Sequence, residues 1–235
     1  MTFNLIGTGL NEKSLTLEAL ELIKNSDHVY LENYTVDFPY DKKVLEKVTG
    51  KKIEELPREK VESEEFIKNA KKQDISLLVY GDSLSATTHS ELILTCKKNN
   101  VPFKIVHNAS VLTAIAETGL QLYKFGKTAS MPTWKENWKP DSFVELIKQN
   151  LSIQAHTLLL VDIALPIEKA KMQLKESLEN HKLEVGKVVI CSELGVDSQI
   201  QYDKINKLSD KIESPFCFII PAKLHFLEEE FLEKL

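Results

Sequence analysis

Four short apolar runs dominate the first half of the chain: "FNLIG", "DHVYLE", "ISLLVY" and "PFKIVH". The third is nearly continuous in its hydrophobicity, as expected of a strand in a sheet covered on both faces. Between the runs lie segments with helical spacing. "SLTLEALELIKN" sets Leu15, Leu17, Leu20, Leu22 and Ile23 roughly at helical intervals, with Ser14 as the expected N-cap. Residues 41–74 are charged and mostly helical in pattern, with Pro57 as a break, and helices are also expected from about His89 to Lys98 and in "SVLTAIAETG". This β-α-β-α alternation predicts a mostly parallel sheet with crossover helices.

The alternation begins again after Gly119. "GKTASM", a helix near 141–150, "HTLLLVDI", a helix near 167–180, "KVVICSELG", a polar segment with "QIQY", "PFCFIIPA" and the closing "KLHFLEEEFLEKL" follow in order. Two α/β domains with mostly parallel or mixed sheets are predicted, one over residues 1–112 and one over 113–235. The total of 235 residues is enough for two real cores.

Composition removes several classes. The net charge is −5 and Arg58 is the lone arginine, so a nucleic-acid partner is not expected. No apolar run reaches the length of a membrane span, and "MTFNLIGTGL" has neither the basic flank nor the apolar stretch of a signal peptide. Cys96, Cys191 and Cys217 form no C-x-x-C, which suits reduced thiols in a cytoplasmic protein, with Cys191 and Cys217 buried in strands. The six histidines form no metal-ligand spacing. There is no Walker loop and no G-x-S-x-G elbow.

Two loops attract attention. Gly7-Thr8-Gly9 follows the first strand and suits a tight turn with close approach of backbone to a ligand. A dinucleotide fingerprint would need a third glycine where Glu12 stands, although Glu32 lies at the right distance for a ribose carboxylate. The second loop is "GDSLSATTHSE". Thr88 and Glu91 fit a capping box for the next helix. Asp82 lies outside that cap, at the carboxyl end of a strand where open α/β sheets bind ligands, and an Asx turn is its alternative role.

The ordered set "LIGTGL", "GDSLSATTH", "YKFGKT", "NWKPDSF", "HTLLLVDI" and "IIPAKLHFLE", spread from Asn4 to about Leu227, resembles the diphthine synthase family, of the tetrapyrrole-methylase fold class. The resemblance implies two α/β domains with S-adenosylmethionine in the cleft between them and S-adenosylhomocysteine as product. It implies repeated methylation of an amino group on a modified histidine of translation elongation factor 2, a step towards diphthamide, by a homodimer. Carried over position by position, it assigns cofactor contacts to Leu10, Asp82, Ser85, Ser110, Val111, Val161, Leu194 and Phe216, and no catalytic residue. This chain departs from the family at Ser83, where proline is usual, and at Ala222, where glycine is usual. The alternatives are a small-molecule methylase of the same fold and a binding module without turnover.

A sulfonium methyl donor needs chiefly placement against a neutral amine. A free α-amino group, with a pKa of about 8, is already partly neutral at pH 7, so a dedicated base is optional. Residues 123–139 hold both tryptophans and four lysines, and Trp134 and Trp138 are expected to hold the protein substrate or to shape the site, with packing at the domain junction as the alternative for either.

Overall fold

The computed structural model describes residues 1–163 and 165–235. The chain divides into two compact units, Met1–Thr113 and Ala114–Leu235.

The first unit is built on five parallel strands: β1 (Phe3–Gly7), β2 (His28–Glu32), β3 (Glu54–Leu56), β4 (Ile75–Val79) and β5 (Phe103–Val106). Their order is β3-β2-β4-β1-β5, and β1 lies in register with β4 from Phe3↔Ile75 to Gly7↔Val79. Alternate residues feed two cores. Phe3, Leu5, Leu77 and Val79 pack with Leu92 and Cys96 on one face. Ile6, Leu78, Val29 and Leu31 pack with Ala19, Ile23 and Leu45 on the other. This two-sided cover explains why "ISLLVY" is almost wholly apolar. Its polar member, Ser76, is fully buried and meets Ser26 Oγ at 2.7 Å and Asn4 Nδ2 at 3.3 Å.

The connections set up a crevice. From β1 the chain crosses to β2, towards the β3 edge; from β4 it crosses to β5, at the opposite edge. The loops leaving β1 and β4 therefore diverge, which is the switch point where open α/β sheets bind ligands.

The second unit has a mixed sheet of β6 (Ala129–Met131), β7 (Thr157–Val161), β8 (Val188–Ser192), β9 (Gln199–Asp203) and β10 (Phe216–Ile220), ordered β6-β7-β10-β8-β9. The last strand inserts antiparallel between β7 and β8, while β6 runs parallel to β7. Phe218, Leu159, Ile190 and Leu174 are buried in the core of one face. Cys191 and Cys217 lie directly opposite one another in the β8–β10 ladder; both are buried and free, as is Cys96.

Several local expectations change. The charged stretch 41–74 holds three helices, Lys42–Thr49, Arg58–Glu62 and Glu65–Asn69, together with the edge strand β3. The polar "QIQYD" is β9, the other missed strand. Both are edge strands, where half the environment is solvent and the apolar pattern fades. The first helix, Leu17–Asn25, is capped by Thr16, whose hydroxyl accepts from Ala19 N at 3.0 Å; Ser14 is not its cap. The capping box at Thr88 and Glu91 does not form. The helix Ser90–Lys98 starts after His89, which has helical dihedrals and no side-chain cap. Thr87 takes the polar role instead, its hydroxyl accepting from His89 N at 3.3 Å and meeting His89 Nδ1 at 2.9 Å.

Candidate functional site

Three loops converge at the carboxyl ends of the adjacent strands β4, β1 and β5. The β1 and β4 loops are tied by a two-way backbone bridge, Gly9 N to Gly81 O and Gly81 N to Gly9 O, both 3.0 Å. Glycine is required on steric grounds. A Cβ on Gly7 would lie 2.6 Å from Gly81 O, and one on Gly9 would lie 2.4 Å from Ser14 Cβ, at a φ of +74° that side chains rarely adopt.

Asp82 joins the β4 loop to the β5 loop. One carboxylate oxygen accepts from Asn108 N at 3.0 Å and meets His107 Nδ1 at 2.8 Å. The other accepts from Leu84 N at 3.1 Å and Ser85 Oγ at 3.0 Å. Burial pushes this carboxyl up; the amides of Asn108 and Leu84, the His107 ring and the Ser85 hydroxyl more than offset it and hold the group below the ordinary value. Asp82 is thus an ionised clamp satisfied by the protein itself, including the Asx turn onto Leu84. Asn108 is the second clamp. Its Nδ2 donates to Gly7 O at 3.1 Å and Ser14 O at 2.9 Å, which fixes the β1 loop against the β5 loop.

Leu10, Asp82, Ser85, Ser110 and Val111 all fall on these three loops. Leu10 is buried, and its carbonyl accepts from Tyr80 OH at 3.0 Å. Ser110 is buried and pairs with Thr113, whose hydroxyl donates to Ser110 O at 2.9 Å, and Val111 opens the short helix Val111–Ala114. Ser85 reaches Asp82. A tyrosine-rich wall lies alongside: Phe38 meets Tyr80 and Tyr40 edge-on with ring centroids at 5.2 and 5.6 Å, and Tyr40 OH lies 3.5 Å from Thr8 Oγ.

Sequence reasoning missed Asn108, His107 and this wall. The signal for Asn108 was its place directly after a strand, in the same "NASV" stretch that supplied Ser110 and Val111. Glu32, the candidate ribose ligand, is fully buried and turned onto its own chain, where it binds the Thr35 hydroxyl and accepts from Tyr34 N at 3.4 Å. With the helix starting only at Leu17, the dinucleotide reading has no support.

In the second unit Val161, Leu194 and Phe216 share one end of the sheet. Val161 ends β7, Leu194 follows β8, and Phe216 opens β10 opposite Ser192. Leu194 is buried, while Val161 and Phe216 are half-buried against the core, with Phe216 edge-on to Phe218 at 6.0 Å. Trp134, half-buried, is held locally: its Nε1 donates to Pro140 O at 3.0 Å and Lys139 Nζ stands 4.8 Å from its ring centroid. Trp138 is 52% exposed.

The opposite end of this sheet carries a polar network that the sequence did not announce. Glu228, fully buried on the helix Phe226–Leu232, binds Lys124 and accepts from His225 N at 2.7 Å and Gln121 N at 3.0 Å. It also meets His156 Nε2 at 3.2 Å, while His156 Nδ1 accepts from Ala222 N at 2.9 Å, so the neutral ring carries its proton on Nε2. Burial raises the Glu228 carboxyl, but its hydrogen-bond donors dominate and bring it down to about 2.

The chain belongs to the tetrapyrrole methylase family: the family model described as Tetrapyrrole (Corrin/Porphyrin) Methylases matches residues 2–208. Within that family its similarity is to diphthine synthases. It is 43% identical over 179 residues to a diphthine methyl ester synthase of Schizosaccharomyces pombe, covering 75% of this chain and 62% of that protein. It is 44% identical over 183 residues to the protein of the same name from Saccharomyces cerevisiae, covering 76% of this chain and 59% of that one. The matched stretch thus spans about three fifths of these relatives' length. Among solved structures, a putative diphthine synthase from Entamoeba histolytica superposes with a TM-score of 0.91 at 35% identity, over 99% of this chain and 97% of that one. A second, a diphthine synthase, gives 0.91 at 31% identity over 100% and 95%.

Proposed function

We propose that the chain is an S-adenosylmethionine-dependent methyltransferase of diphthamide biosynthesis, acting on the modified histidine of translation elongation factor 2. The observation that carries this reading is the near end-to-end match to a solved putative diphthine synthase, combined with the loops after β1, β4 and β5, which carry five of the eight expected cofactor contacts. We assign the enzyme to the cytoplasm as a homodimer.

The residues present suit the donor. The close-packed Gly7 and Gly9 let the β1 loop lie directly against the β4 and β5 loops, and Ser85 and Ser110 add small neutral hydroxyls. Asp82 holds the loops in place through bonds it makes to the protein. In the second unit Val161, Leu194 and Phe216 offer an apolar surface. When bound, the donor supplies an electrophilic methyl group on a sulfonium. The first unit's loops would hold the donor in place, and the chemistry asks chiefly that its methyl group lie in line with the acceptor.

The curated relatives are named for a methyl ester, which is a bond to a carboxylate oxygen. A carboxylate is fully ionised at pH 7 and an α-amino group is partly neutral, so neither acceptor demands a base. We extend the amine reading to include such an ester.

The test is methyl transfer from labelled donor to elongation factor 2 carrying the unmethylated precursor. Label on the factor supports the proposal. Donor binding without transfer makes the chain a binding module, and transfer only to a tetrapyrrole assigns it to the small-molecule methylases.

A further inference from the structure

A hairpin beyond β6 stands apart from the rest of the second unit. Lys135 N donates to Trp138 O at 2.9 Å and Trp138 N to Lys135 O at 3.1 Å, closing a turn through Glu136 and Asn137. Its root is stapled to the sheet and to the helix Ile167–Asn180. Thr133 N donates to Asp162 Oδ2 at 3.0 Å, Gln173 Nε2 to Pro132 O at 3.0 Å, and Trp134 N to Gln173 Oε1 at 3.0 Å. Lys139, which covers the Trp134 ring, is fixed by Glu176 at 3.1 Å. The two tryptophans therefore divide the work: Trp134 braces the hairpin, and Trp138 is displayed by it.

The displayed group suits a protein partner. Residues 135–139 are all exposed, and the Trp138 indole N–H has no hydrogen-bond partner among the described residues. A large aromatic ring on a stiff support loses little freedom on binding, and such residues dominate interface energetics. The hairpin also leaves the sheet where β6 and β7 end, at the Met131↔Val161 pair, next to an expected cofactor contact.

We infer that Trp138, with Lys135 beside it, docks the folded protein substrate, meeting a surface that offers hydrogen-bond acceptors to the indole and acidic side chains to the lysine. This rests on the proposed methylation of a protein and adds the surface that selects it. The hairpin contributes to capturing the substrate and does not take part in the methyl-transfer step.

Steady-state methylation of intact precursor-bearing elongation factor 2 tests the assignment. Trp138→Ala should raise KM for the protein about tenfold, the size of a modest hot spot, with kcat and donor affinity within about twofold of wild type. Trp138→Phe should recover part of the loss, and Lys135→Glu should raise KM in the same direction. A short peptide bearing the modified histidine should not discriminate between wild type and Trp138→Ala. An unchanged KM in Trp138→Ala, alongside active wild type, overturns the docking role. An equal fall in donor affinity also overturns it and makes Trp138 part of the cofactor wall. If wild type transfers no methyl group to the factor, the functional reading itself has failed, and this inference with it.

Discussion

Asp82 and Glu228 are both buried carboxylates with four donors, and both are held below their ordinary pKa. Their surroundings differ. Asp82 leans on His107, whose side chain is 68% exposed, and it joins loops at the mouth of a sheet. Glu228 faces His156 and Lys124 inside the second unit, with both Glu228 and His156 fully buried. A saturated, strongly ionised carboxylate is therefore no mark of a ligand site by itself. The distinguishing feature is what the clamp holds: around Asp82 it ties together loops at a switch point, and around Glu228 it holds a closing helix against the fold.

If that distinction is right, Glu228 matters most for stability. Glu228→Ala removes the shared acceptor of the buried His156 ring and of the Gln121 and His225 amides, and leaves Lys124 with Lys223 O as its remaining partner. A cost of about 3–5 kcal/mol is expected from breaking a buried charge pair. Denaturant unfolding would show it as a lowered midpoint, and a loss below about 1 kcal/mol would dissolve the contrast with Asp82.

Acid should act on the fold in two stages, the second of them through this network. Burial lowers the pKa of His156 and of His89 below 6.5 in the fold, so the unfolded chain takes up protons that the folded one refuses. Stability should therefore begin to fall as pH drops below 6.5. Glu228 is depressed from 4.5 to about 2, so its contribution is complete above 4.5 and is lost as pH falls from there towards 2. In Glu228→Gln the second stage should shrink while the first remains. Unfolding midpoints measured from pH 7 to pH 3 would check both stages. A profile identical to wild type below pH 4.5 would remove Glu228 from the account.

Asp82→Ala should be milder for stability and sharper for binding. Water can reach the exposed His107, but the Asn108 and Leu84 amides lose their acceptor, at about 1–3 kcal/mol for a buried group left unpaired. Freed loops should weaken S-adenosylmethionine binding about tenfold or more, an expectation that follows from losing a preorganised site. Calorimetry with the donor decides it, and unchanged affinity would show that the loops keep their shape without the clamp.

The sequence showed the architecture where environments were uniform. Strands covered on both faces, such as β4, appear as apolar runs, and the helix Ile167–Asn180 coincides with its predicted span. The edge strands β3 and β9 were hidden because solvent on one side permits charge and polarity. Asp82 was visible through its place at a strand end. Its role as a clamp was not, because its partners His107 and Asn108 lie 25 and 26 residues away. The Glu228 network was harder still. Its donors come from residues 72 to 107 positions earlier as well as from the adjacent helix start, and His225 caps that helix where Ser or Thr would have been the recognisable signal.

Ser83 gives the smallest expected effect and the finest test of the comparison. It is fully buried between Asp82 and the β5 strand end, yet among the described residues its hydroxyl reaches only Val106 O, at 3.4 Å. A bond that long contributes little, so Ser83→Ala should cost no more than about 1 kcal/mol and leave donor affinity within about twofold. The clamp and the glycine bridge beside it would be untouched. Were Ser83→Ala to weaken donor binding as much as Asp82→Ala, the hydroxyl rather than the clamp would be shaping the loop, and the departure from the family's usual proline at this position would acquire a functional meaning.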